Sequence, residues 1–227
     1  MSEPTTTTLH HTGFDTAWWG SDLGSYRPCD ATYQRYPLES LPPLDPARFV
    51  GTFDWLAAKG RPVPGEVAAL EFLAQRLSET GLSLPADFTT FYTHSGLLAA
   101  LDEVSVAACW TDISDPLPCP FDPSARFVQF LRDQQDCLIW YLYLRPGKPT
   151  AIVVSPLMHN DEEEEPEFTP AELDTLRTHF HACAESFEEF AYRFWTENNL
   201  WGHARDRFAD DTALPPAQRA YLAHYLR

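Results

Sequence analysis

The chain has 227 residues, 44% hydrophobic and 22% charged, an ordinary globular composition that can bury roughly 70% of its unfolded surface without a disulfide or metal. Its 16 basic and 33 acidic residues leave a net charge of −17. That field repels phosphate backbones and anionic lipid headgroups, which argues against nucleic acid and membrane partners and for a basic protein, although acidity also serves plain solubility.

Residues 1–13 lack the basic and apolar regions of a secretory signal and read as a mobile tail. Five cysteines, Cys29, Cys109, Cys119, Cys137 and Cys183, show no CxxC spacing, so reduced thiols in a cytoplasm are expected. Residues 14–65 read as an arm and a helix packed on a domain spanning 66–227. Phe14, Trp18 and Trp19 are too apolar for water and are expected to wrap the core. Asp45 before Pro46 is an N-cap with proline at the first helical position; Phe49, Phe53 and Leu56 mark one face, and Gly60 stops the helix. A second helix is predicted over 66–80, with Gly81 as the residue just past its end. Leu84-Pro85 opens a third, short helix bearing Phe88, Phe91 and Tyr92.

Beyond Gly96 the period changes. Alternation of Val104, Val106, Ala108 and Trp110 predicts a strand, and the proline-rich 114–124 a loop. Strands over 126–131 and 137–144 flank the polar run Asp133-Gln134-Gln135-Asp136 as a hairpin, and 151–155 completes a meander. Leu138, Trp140, Leu142 and Leu144 line one face of the second strand, and Cys137, Ile139, Tyr141 and Tyr143 the other. Both faces therefore need cover: a long helix can supply one, and the N-terminal arm, another helix or a partner the other, with internal cover expected and Trp18 and Trp19 available for it. The longest apolar run, 137–144, is far short of the roughly 20 residues that span a bilayer.

Six acids crowd 161–167. The capping box Thr169-Pro170-Ala171-Glu172 then opens what reads as the longest helix, because Leu173, Leu176, Phe180, Cys183, Phe187, Phe190 and Phe194 recur at steps of three and four. A short last helix is expected to dock through Tyr221, Leu222 and Tyr225.

The common nucleophile, nucleotide and zinc-protease motifs are missing. In "HFHACAE", His179 and His181 would lie on different helix faces, so a rim histidine and a core Cys183 are expected rather than a metal site. Ser95 beside His94 reads as turn chemistry. Asp133 and Asp136 could serve as an acid–base pair only if they faced one cleft; at a hairpin tip, turn duty is the expected role.

"EFLAQRLSETGLSLPADFTTFYTHSGL", with Leu84, Pro85, Asp87, Phe88 and Phe91 in its motif positions, resembles the opening of the SUKH superfamily of bacterial immunity proteins and cell-wall-assembly regulators. "FVQFLRDQQDCLIWYLYL" and "FEEFAYRFWTENNLW" look like its actinobacterial members, and the likeness covers roughly 66–200 in outline. His94-Ser95-Gly96 replaces the family's Asn-Gly or Gly-Gly turn. The resemblance implies an α+β fold, a curved, largely antiparallel sheet packed against several helices, to which the residue pattern adds a long C-terminal helix. It also implies action by protein binding rather than catalysis.

The expected function is thus a non-catalytic cytoplasmic protein-binding module of the immunity type, occluding a basic toxin domain without cofactor or metal. Its contacts would be Asp161, Glu162, Glu163, Glu164 and Glu165, the tip residues Asp133, Gln134, Gln135 and Asp136, and Tyr141 and Tyr143 as sheet-face anchors. A scaffold or regulator of the cell-wall-assembly type and an enzyme of unrecognised class stay open as alternatives.

Overall fold

The computed structural model describes residues 8–56, 58–157 and 168–226. Among the described residues eight strands form one open sheet: β1 (Asp15–Gly20), β2 (Gln34–Pro37), β3 (Trp110–Thr111), β4 (Leu117–Pro118), β5 (Arg126–Arg132), β6 (Ile139–Leu144), β7 (Ala151–Ser155) and β8 (His181–Ala184). Their order is β2-β1-β8-β7-β6-β5-β3, with β4 also on β5. Every pairing is antiparallel except β1 with β8. The helices are α1 (Pro64–Ser78), α2 (Ala86–Thr93), α3 (Ala100–Val104), α4 (Pro170–Arg177), α5 (Phe187–Arg205) and α6 (Pro216–Ala223). The architecture is α+β, and none of the described helices is long and apolar enough to cross a membrane.

The alternation of the meander sets its two faces. Val128, Phe130, Trp140, Leu142 and Val154 pack beneath Leu70 and Leu73 of α1, Phe88 and Phe91 of α2, and Phe187, Phe190 and Phe194 of α5. A bulge between Gln129 and Leu131 turns both Phe130 and Leu131 toward this core, as an inserted residue does. On the other face Phe127, Ile139, Tyr141, Tyr143 and Val153 lie under Leu9, Phe14, Leu117, Cys119 and Phe180.

Several expectations are corrected. The helix expected from Thr169 onward is two helices separated by β8. Its apolar spacing is real, but Phe180 belongs to one face of the sheet and Phe187 to the other. Pairing of His181 and Ala182 with Val154 and Val153 outweighs local helical propensity. The restart is capped by Ser186, whose side chain accepts from Glu189 N. At the N-terminal side, Asp45 does cap Ala47 N, yet only a single 3-10 turn, Pro46–Arg48, follows. Gly51 (φ 83°) and Phe53 (φ 56°) then bend the chain. The strand expected at 104–110 shrinks to β3, because α3 runs through Val104 and Ala108 takes a left-handed φ of 52°.

The arm does not merely wrap the core. As β1 it joins the sheet, so residues on both sides of the expected 65/66 boundary share one sheet. Trp18 packs on the helix-covered face, and Leu9 and Phe14 cover the other. Leu9 and Thr12 are buried, so this part of the expected 1–13 tail is packed.

Candidate protein-binding surface

The β5–β6 turn and the short edge strand β3 meet at one corner of the sheet. Asp133 organises the turn: its Oδ1 accepts from Gln135 N (3.2 Å) and Cys137 N (2.7 Å), and its own N–H bonds to Leu138 O (3.1 Å). Asp136 sits at φ 55°, a left-handed position that aspartate tolerates better than most residues. The turn reading of both carboxylates therefore agrees with the geometry. Asp133 is, however, only 3% exposed and faces its own backbone, so this expected contact is not open to a partner. Gln134, Gln135 and Cys137 are exposed.

Beside this tip stands Trp110, 37% exposed and paired across the strands with Arg132. The Arg132 guanidinium lies 4.8 Å from the indole centroid, within cation–π range. It is held between two carboxylates, Asp136 Oδ1 at 2.6 Å and Asp112 Oδ2 at 2.8 Å. Gln129 Nε2 donates to the same Asp112 oxygen at 2.9 Å. The outer edge of β3 is blunted by Asp102, which takes Thr111 N (3.0 Å) and Thr111 Oγ1 (2.7 Å), so strand addition is blocked there. The result is a half-exposed indole on a fixed guanidinium, rimmed by carboxylates and amides. That is the make-up of an interface anchor.

The other expected contacts fare differently. Asp161, Glu162, Glu163, Glu164 and Glu165 lie outside the described residues. Tyr141 and Tyr143 are 0% and 2% exposed, buried under Phe14, Phe127 and Phe180, so they are not surface anchors. Sequence reasoning missed Trp110, Asp112 and Arg132; the signal available was a tryptophan and an acid next to a proline-rich loop.

Two carboxylates of α5 are buried and satisfied internally. Glu188 Oε2 accepts from Gly51 N, and its Oε1 from Phe53 N and Trp55 Nε1. Glu197 pairs with Arg27 through two bonds of 2.6 and 2.7 Å and also accepts from Trp18 Nε1 and Tyr221 OH. Burial opposes its charge, but the Arg27 field and these donors outweigh burial and hold Glu197 below the ordinary carboxylate range.

A cleft of about 350 Å³ lies elsewhere, between the 22–26 loop and the end of α5. There Tyr26 OH donates to Asp211 Oδ2 (2.7 Å), and His203 Nε2 is 2.8 Å from Asp211 Oδ1. None of Asp133, Asp136, His94 and His179 lines it. Cys183 is fully buried, and among the described residues no group of three or more potential metal ligands occurs. No family model, curated protein or solved structure matches this chain.

Proposed function

We propose that the chain is a non-catalytic protein-binding module of the immunity type, which binds a basic toxin domain and blocks it. The observation that carries this reading is the corner at Trp110: an exposed indole fixed by Arg132 and rimmed by Asp112 and Asp136, on a chain of net charge −17. An indole seated in a partner's pocket supplies affinity. The carboxylate field speeds encounter with a positive surface and rejects anionic competitors. The six acids of 161–167 are the densest source of that field.

The two contributions separate kinetically once the partner is captured. Trp110→Ala is expected to weaken binding by roughly 30-fold or more, mainly through faster dissociation. Replacing Asp161, Glu162, Glu163, Glu164 and Glu165 by Ser is expected to slow association at low salt and flatten its salt dependence. Unchanged affinity in the first variant would move the interface away from β3, and an unchanged low-salt association rate in the second would remove the acidic run from the mechanism.

A further inference from the structure

The Trp110 corner carries more negative charge than it neutralises. Asp112 and Asp136 share the single guanidinium of Arg132. Asp102 and Asp133 add two more carboxylates, and both are tied to uncharged donors: Asp102 takes Thr111 N and Oγ1, and Asp133 takes Gln135 N and Cys137 N. Four acids therefore stand around one base. The side chains of Asp112 and Asp136 are 42% and 33% exposed. Each uses one oxygen on Arg132, and among the described residues no hydrogen bond reaches Asp112 Oδ1 or Asp136 Oδ2. Two unused acceptors thus flank a half-exposed indole in a field that attracts cations and repels anions.

The fold already holds one example of the cation this surface suits. Arg132 lies 4.8 Å from the Trp110 centroid while it pairs with both carboxylates. With one guanidinium in place, Trp110 is still 37% exposed, so the indole keeps surface for a second. A guanidinium is planar, weakly hydrated and offers five donors, so it can stack on an indole and reach two carboxylates at once. A lysine ammonium is a strongly hydrated point charge and gains less from the same surroundings.

We propose that this corner receives an arginine side chain of the protein partner: its guanidinium covers the open surface of Trp110 and donates to Asp112 Oδ1 and Asp136 Oδ2, with exposed Gln134 and Gln135 beside its approach. The inference rests on the protein-binding reading and narrows the basic partner to one residue type at one contact. That arginine forms a wall of the pocket in which the indole sits. Arg132 stays in place, because the incoming group uses the carboxylate oxygens that Arg132 leaves free.

The contact can be tested without the partner. N-acetyl-arginine amide and N-acetyl-lysine amide are titrated into the full chain while indole N–H resonances are followed by NMR, with Trp110 assigned from Trp110→Phe. The Trp110 resonance should shift saturably with the arginine probe, at a Kd of roughly 10 mM, and the lysine probe should bind about threefold more weakly or worse. Asp112→Asn combined with Asp136→Asn keeps the side-chain shapes and should weaken the arginine probe about threefold or more. Those carboxylates also hold Arg132, so the wild-type chain supplies a second reading: raising NaCl from about 20 to about 300 mM should weaken the arginine probe several-fold. No shift of Trp110 up to about 50 mM arginine probe, an equal response to both probes, or a response that ignores salt would overturn the inference. It would fall in this way even where Trp110→Ala weakens a captured partner, which keeps the protein-binding reading. The opposite pattern, an arginine-specific shift with a captured partner indifferent to Trp110→Ala, would strike the placement of the interface and leave the guanidinium site standing.

Discussion

Replacing Glu197 by Gln is expected to cost the fold about 3–5 kcal/mol, read as a large fall in the urea midpoint. Arg27 is only 5% exposed, and Glu197 is its one ion-pair partner among the described residues. Removing the charge leaves a buried guanidinium uncompensated and weakens the bonds from Trp18 and Tyr221. These groups come from β1, the 21–28 segment, α5 and α6, so the loss should loosen α6 as well as the first strand. Arg27→Met with Glu197→Leu should cost less than Glu197→Gln alone, because the unpaired charge is the main penalty. A single variant within 1 kcal/mol of wild type would contradict the pair's role. The acid response follows the same sign: the stabilisation is present above the free glutamate value and disappears as pH falls through the lowered folded value.

Glu188→Ala is expected to destabilise by about 3 kcal/mol, since buried donors left unpaired cost about 1–3 kcal/mol each. Glu188 is 0% exposed, and the bend of 51–55 is folded around it: Gly51 N, Phe53 N and Trp55 Nε1 all donate to its carboxylate. Gly51 and Phe53 hold left-handed backbone angles, and for Phe53 that conformation persists only while the surroundings enforce it. Exchange protection should fall first at 51–56 and leave β5–β7 unaffected. Glu188→Gln keeps the volume but leaves one carbonyl oxygen for three donors, so it should also destabilise. An unchanged loop in both variants would show that packing of Phe53 against Phe91 and Phe187 suffices.

The sequence reading succeeded where local chemistry and tertiary packing agree. The hairpin, the third strand of the meander, α1, α2 and α6 are all placed by period and punctuation, and Gly81 (φ 72°) closes α1 as expected. It failed where a long-range partner decided the outcome. Phe180 and Cys183 continue a helical period, yet β7 claims their neighbours His181, Ala182 and Ala184 for the sheet; the Ser186–Glu189 capping signal, visible in "SFEE", was the clue to a break. Phe49, Phe53 and Leu56 also keep helical spacing, but the distant Glu188 carboxylate turns their backbone elsewhere. The candidate site was half legible. The polar tip announced a turn, whereas Trp110 comes to it only through β3 pairing with β5. Tyr141 and Tyr143 read as available anchors because their alternation leaves the cover of that face open to the arm, another helix or a partner, and only the packing of Leu9 and Phe14 settles it.

Protein binding driven by charge is tested most directly by capture from the native host. The tagged chain is immobilised in lysate, washed at low and then at high salt, and each fraction is identified by mass spectrometry. A single basic protein that stays at low salt and leaves as screening shortens the reach of the −17 field is the expected result. Recovery of the chain alone, or only of neutral proteins that resist high salt, would contradict it.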